Sequence, residues 1–222
     1  MTNFGLMFEK RGKIFLEASN DMPDILKSRK NIQENIPEIV KLLKKTNVNK
    51  ILDLGCGSGR HTVFLSKNGF EVYSLDILEE ELKLTKAWLN DENSNAKIIK
   101  ASCYERLPFA DDFFDVIIST QVIHHNFHDK IKDCISEIER ILKPRGIIFI
   151  TVPSNKDVAL EKEKFKVVEY RTYIPLHGNE KNIPHFIYSK SLLKDDFNNF
   201  KILSLHKDSD DYLCLLGIKQ TC

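Results

Sequence analysis

Lys50-Ile51-Leu52-Asp53-Leu54-Gly55-Cys56-Gly57-Ser58-Gly59-Arg60-His61 is the stretch around which the chain is organised. Ile51 to Leu54 reads as a short apolar strand, and three glycines at alternate positions after it do not fit inside a regular helix or strand. They mark a turn. It leads into a helical pattern, His61 to Lys67, and a turn of this kind lets a ligand approach the backbone with N–H groups of the helix start facing it. The next apolar run, Glu71 to Leu75, ends in Asp76. A carboxylate about 20 residues past a glycine loop, at the tip of the following strand, can bond both hydroxyls of a ribose. The expected ligand therefore carries adenosine or a similar nucleoside. The spacing is Gly-x-Gly-x-Gly with an acid two residues ahead, not the dinucleotide Gly-x-Gly-x-x-Gly. Taken alone, the loop fits a dehydrogenase or a structural tight turn equally well.

With 222 residues, 42% of them hydrophobic, the chain is long enough for one α/β domain with a full core and short for two. A formal charge of +1 provides no global field toward nucleic acid or membrane. Cys56, Cys103, Cys134, Cys214 and Cys222 are odd in number, widely spaced and without a Cys-x-x-Cys pair, which argues for reduced thiols over a disulfide framework or a zinc ribbon. The N-terminus has no apolar core of signal-peptide length, and no run reaches the ~20 apolar residues of a membrane helix. A cytoplasmic location with no membrane partner is the expectation.

Before the glycine loop, Met1 to Leu16 reads as an amphipathic helix or flap, Asn20 to Pro23 as a turn, and Ile36-Pro37-Glu38 as the start of a helix with Ile39, Leu42 and Leu43 on its apolar stripe. Beyond Asp76, a helix over Leu78 to Asn90 precedes a strand at Lys97 to Ile99 and another at Phe113 to Ser119. An amphipathic helix through Ile131, Ile135, Ile138 and Leu142 stops at Lys143-Pro144-Arg145-Gly146, and Ile147 to Val152 is a fifth strand. Such alternation calls for a parallel doubly wound sheet. Ser154 to Tyr170 reads as charged and helical, Tyr173 to Ile187 as a loop, and Ser189 to Phe197 as a short helix. Two late strands, Phe200 to Leu205 and Tyr212 to Ile218, are antiparallel neighbours across a short acidic turn.

The loop, Asp76, Leu107-Pro108-Phe109, Phe114-Asp115-Val116-Ile117-Ile118-Ser119 and Leu142-Lys143-Pro144-Arg145-Gly146, in this order, resemble the motifs of class I S-adenosylmethionine-dependent methyltransferases of the type 11 kind. The resemblance is strong over Ile51 to Val152 and weak over the last two strands. It implies a Rossmann-like, doubly wound α/β fold with a mostly parallel seven-stranded sheet and an antiparallel last hairpin. The whole chain is then one domain: a helical N-terminal cap (1–48), a cofactor-binding core (49–152), and a substrate-loop region with the last strands (153–222). The implied cofactor is S-adenosyl-L-methionine, with S-adenosyl-L-homocysteine as product. By the same resemblance Asp53, Gly55, Cys56, Gly57 and Gly59 surround its methionyl end, Asp76 its ribose and Ile77 its adenine. Ser102 and Cys103 stand where many relatives place an aspartate, and Ser119, Thr120 and Gln121 line the methyl donor.

His124-His125-x-x-His128 lacks a carboxylate partner at helical spacing, so no metal is expected; His124 and His125 are instead candidates for substrate contact or general base. The long loop Arg171 to Phe186 is rich in aromatic, His and Pro residues and lies where this family carries substrate-recognition insertions. Arg171, Tyr173, His177 and His185 are its candidate acceptor contacts. Phe8 and Phe15 join them if Met1 to Leu16 and this loop close as a lid over the acceptor. The expected activity is methyl transfer to an O or N atom of a small-molecule acceptor. Alternatives are tRNA wobble-base methylation, which would make RNA the partner, and an inactive binding subunit of the same fold.

Overall fold

The computed structural model describes residues 31–154 and 164–221. Strands form where the apolar runs lie. In chain order they are β1 (Lys50–Leu54), β2 (Glu71–Asp76), β3 (Lys97–Lys100), β4 (Phe114–Thr120), β5 (Leu142–Pro153), β6 (Phe165–Glu169), β7 (Thr172–Pro175), β8 (His185–Phe186), β9 (Phe200–Lys207) and β10 (Tyr212–Lys219). Seven of them make one sheet in the order β3-β2-β1-β4-β5-β10-β9. The first five of that order pair in parallel. Only β10 is reversed, running antiparallel to both β5 and β9. The Rossmann-like α/β sheet with its last hairpin is thus as the sequence implies.

Helix α1 (Ile36–Leu43) precedes β1, and α2 (Arg60–Lys67), α3 (Glu79–Asp91), α4 (His128–Ile141) and α5 (Lys190–Asp196) lie between strands in sequence. Both faces of the sheet are covered. Alternate residues of β1 and β4 enter two separate apolar clusters, Leu52, Leu54 and Ile117 in one and Ile51, Val116 and Ile118 in the other. That double burial explains why these strands read as continuous apolar runs. Pro37 sits in the first turn of α1, where no N–H is needed. The stripe buried by this helix is Ile36, Ile39, Val40 and Leu43, whereas Leu42, expected on it, faces outward.

Three motifs prove to be fasteners. Asp115 accepts the N–H groups of Asn49 and Lys50, which start β1, and pairs with Lys143 at 2.6 Å. Arg140 of α4 donates to the carbonyls of Leu107 and Phe109, tying the segment before β4 to the helix after it. Lys143 to Gly146 does not sit between helix and strand: β5 begins at Leu142, which pairs with Phe114, and Arg145 takes a positive φ of 63° at the irregularity.

The region after β5 departs most from expectation. Phe165–Glu169 is a strand, not part of a helix, and the stretch read as loop carries β7 and β8, so that β6-β7-β8 form a second, antiparallel sheet. These strands are two to five residues long and their alternation is weak, which leaves little periodicity to read. The expected flap at Met1 to Leu16, the turn at Asn20 to Pro23 and most of Ser154 to Lys164 lie outside the described residues.

Candidate functional site

The order of the sheet reverses between β1 and β4, and ligands of open parallel sheets bind outside the carboxyl ends of the strands at such a point. The glycine loop occupies that place. Gly55 and Cys56 both donate to the Leu75 carbonyl, at 2.7 and 2.9 Å, which folds the loop across the tip of β2. Gly55 takes φ +76°, and a Cβ there would lie 2.2 Å from Val122 Cγ2. By contrast, a Cβ on Gly57 (φ +52°) would meet only Glu81 Oε2, at 4.0 Å. The loop thus packs tightly at its base and leaves room above its middle glycine. Asp76 stands beside that space, its Oδ2 accepting from Gly57 N–H at 2.9 Å and its Oδ1 from Leu78 N–H at 2.9 Å. Ile77 next to it is a large apolar side chain left 59% exposed.

Asp53 is placed differently from a ligand contact. It is 1% exposed, under the loop, and accepts the Thr62 hydroxyl at 2.7 Å in the first turn of α2. Thr62 also shares a 2.8 Å hydrogen bond with Ser74. Burial raises the Asp53 pKa to about 6 against the opposing pull of Thr62 and Arg60. The Cys56 thiol is pushed far above its ordinary value by burial and by Asp53 and Asp76, so it stays protonated and is no nucleophile.

Several other expected contacts turn inward. Ser119 is buried and donates to the Leu54 carbonyl at 3.0 Å, joining β4 to β1 beneath the loop. Thr120 lies 3.3 Å from His61 Nδ1. Cys103 is buried in the apolar core as a free thiol. Ser102 is partly exposed and its Oγ accepts from Tyr104 N–H at 3.2 Å. Gln121, held at φ +59° by bonds from its N–H to Thr151, does reach the open side.

Next to the loop is a cavity of about 170 Å³. Gln121, His124 and His125 from the turn after β4, together with Pro153 and Tyr212, line one part of it, and Phe165, Tyr173, Glu180 and His185 from the second sheet line the rest. Val122 connects the two sites: it meets Gly55, and its carbonyl accepts from His125 N–H at 3.0 Å and from the Tyr104 hydroxyl at 3.2 Å. Burial lowers the His125 pKa to about 4, so the ring is neutral at neutral pH, and burial raises that of Tyr173 to about 12.

Of the expected acceptor contacts, the structure brings Tyr173 and His185 to the two histidines of the β4 turn. Arg171 lies elsewhere, donating from Nε to the Ile187 carbonyl, and His177 is exposed outside the cavity. Phe8 and Phe15 lie outside the described residues. Glu180, Tyr212 and Phe165 were not anticipated. Only Glu180 left a signal, as the one acid in a run otherwise rich in aromatic and His residues.

Residues 52–150 match the family model described as a methyltransferase domain. The chain is 33% identical over 98 residues to the uncharacterized methyltransferase sll0829 of Synechocystis, covering 44% of each chain. It spans roughly half the length of the curated relatives it matches. The solved PH0226 protein of Pyrococcus horikoshii superposes with a TM-score of 0.71 at 23% identity, over 93% of this chain and 97% of that one. A 1,6-didemethyltoxoflavin-N1-methyltransferase of Burkholderia thailandensis, solved with bound 1,6-didemethyltoxoflavin and S-adenosylhomocysteine, gives a TM-score of 0.64 at 16% identity over 89% of this chain and 82% of that one.

Proposed function

We propose that this chain, whose residues 52–150 match the methyltransferase-domain model, uses S-adenosylmethionine to methylate an oxygen or nitrogen of a small-molecule acceptor held in the cavity beside the glycine loop. The observation that carries this reading is that the loop and the cavity adjoin. Gly55 packs on Val122, and the residues on either side of Val122, Gln121 and then His124 and His125, line the histidine cavity, so the loop that leaves room above Gly57 adjoins it through that one side chain.

The residues suit the cofactor. Gly57 leaves the space that a side chain would fill, the Asp76 carboxylate retains acceptor capacity for ribose hydroxyls beyond its two backbone bonds, and exposed Ile77 offers an apolar edge for an adenine. Gly55 and Gly59 shape the loop, Asp53 stiffens it from below, and partly exposed Ser102 offers a polar group for the adenine. When bound, the cofactor supplies a methyl group already activated on a sulfonium, so positioning and exclusion of water are the protein's main tasks. Tyr173, Phe165 and Tyr212 provide the apolar wall, and the neutral His125 ring accepts a hydrogen bond or proton from an acceptor O–H or N–H.

Asp76→Ala tests the cofactor assignment directly. Calorimetry with S-adenosylhomocysteine is expected to show about 1 to 3 kcal/mol of lost binding, or roughly 5- to 150-fold in affinity, the scale for leaving polar ligand groups unpaired. Unchanged affinity would show that the ribose lies elsewhere, and binding of a nicotinamide dinucleotide in its place would overturn the reading. Tritium transfer from labelled cofactor into cell extract, divided into small-molecule, RNA and protein fractions, identifies the acceptor class. Label confined to RNA would replace the small-molecule assignment.

A further inference from the structure

The imidazoles of the cavity form a denser group than a general base requires. His124 and His125 adjoin each other in the turn after β4, and His185 reaches them because Phe186 N–H, next in β8, bonds the His124 carbonyl at 2.8 Å. Ring centroids lie 4.0 Å apart for His124–His125, 4.6 Å for His125–His185 and 5.4 Å for His124–His185. One nitrogen of each ring lies within 4.8 Å of those of the other two. Glu180 closes the set, its Oε1 at 3.6 Å from His125 Nε2 and its Oε2 at 3.5 Å from His185 Nε2.

We propose that His124, His125 and His185 bind one divalent transition-metal ion of the zinc class, with the Glu180 carboxylate as its fourth or outer ligand. The binding stands on these four residues, and the use made of it rests on reading the cavity as the acceptor site. Imidazole donors with one carboxylate suit zinc, iron, cobalt or nickel and not magnesium or calcium. Zinc–nitrogen bonds of 2.0–2.1 Å put tetrahedral ligand nitrogens about 3.3 Å apart, so the set must draw in by about 1.5 Å from its widest separation. His125, the most exposed of the three, is the ring with room to turn toward the other two. Tyr173 stacks on His185 at 5.2 Å and 20°, fixing that ring's plane as outer-shell partners of metal ligands do.

The sequence expectation of no metal rested on the cluster His124-His125-x-x-His128, and His128 indeed takes no part in the group. His128 is turned away, stacked on Phe186 and bonded through Nε2 to Asp196 at 2.7 Å. Three protein nitrogens and one exchangeable position form the arrangement of catalytic rather than structural zinc. An ion held there would bind the acceptor's hydroxyl or amine and lower its pKa, the proton passing to water, and would take over the role assigned above to the metal-free His125 ring.

Protein stripped with a chelator is to be titrated with Zn²⁺ by calorimetry and with Co²⁺ by visible absorption. The expected result is one ion per chain, a higher melting temperature with Zn²⁺, and the d–d bands of a low-coordinate, imidazole-bound Co²⁺. His124→Gln and His185→Gln should each weaken binding by about 100-fold or more, since loss of an outer-shell partner alone costs about 10- to 100-fold. His128→Gln should bind as wild type. Glu180→Gln, at an exposed position, should weaken binding by about 10-fold without threatening the fold, and with the wild-type Co²⁺ spectrum it decides the matter if the buried variants melt early. No saturable site in the wild type, or equal loss in the His128 variant, overturns the proposal. S-adenosylhomocysteine affinity measured on the same samples should be unchanged in every variant; its absence from the wild type would count against the cofactor reading and leave the metal result standing.

Discussion

Gly55→Ala is expected to lower stability by about 2 to 5 kcal/mol and to abolish measurable binding of S-adenosylhomocysteine. The added Cβ would stand 2.2 Å from Val122 Cγ2 and 2.5 Å from Cγ1, inside any tolerable contact, at a backbone φ of +76° that disfavours an L side chain. The left-handed conformation costs about 1–2 kcal/mol and overpacking about 1–3 kcal/mol. Val122 yields poorly, since its carbonyl is held by His125 N–H and by the Tyr104 hydroxyl. Gly57→Ala is the informative contrast. Its Cβ meets only Glu81 Oε2 at 4.0 Å, so the fold loses only the left-handed cost, yet the methyl projects into the room assigned to the cofactor. Thermal melts and calorimetry on the pair should show binding lost in both, with the full stability loss at position 55 and only the left-handed cost of about 1–2 kcal/mol at position 57. Val122→Ala should restore part of the stability of the position 55 variant, because it removes both offending methyls. Equal stability of the two glycine variants, with no rescue, would show that the loop is not braced against Val122.

The contrast between those glycines marks where sequence reading succeeds and where it stops. The strand, turn and helix at Lys50 to Lys67 were legible because the signal is local: apolar run, glycines, helical period. So was Asp76, set by distance along the chain from the loop. Nothing local separates Asp53, under the loop, from Asp76, beside it, because that depends on which face of a strand tip each occupies in the packed sheet. Nor does local sequence tell that Ser119 donates to the Leu54 carbonyl and that Cys103 is buried in the apolar core, for the same reason. His185 and Glu180 join the β4 turn through the pairing of strands two to five residues long, more than 50 residues from their partners in sequence, and no periodicity announces such a meeting.

Asp53→Asn should make the ligand-free protein more stable at neutral pH while weakening its cofactor. The native carboxyl titrates at about 6, raised from an ordinary 3.8 chiefly by burial. Between those values the folded protein holds more protons than the unfolded chain, so stability falls as pH rises through that window, and above about pH 6 the ionised group carries its whole cost. A rise of this size corresponds to about 3 kcal/mol as an upper figure. Asparagine keeps an acceptor for the Thr62 hydroxyl and removes the charge, so denaturant melts should show the wild type losing stability relative to the variant from pH 4 to pH 7, by up to that amount. A fold retains such a cost where function uses the charge, and the cationic sulfonium end of the cofactor, placed on the far side of the glycine loop, is the partner that a buried anion here would serve. Affinity for S-adenosylmethionine at pH 7.5 should accordingly fall by about 10-fold in the variant, and more than for the uncharged S-adenosylhomocysteine sulfur, since the two ligands differ by one positive charge. A variant less stable than wild type at every pH would show that Asp53 is held by its bonds to Thr62 and is not penalised by burial. Equal losses for the two ligands would detach Asp53 from the sulfonium and leave it as a brace for the loop alone.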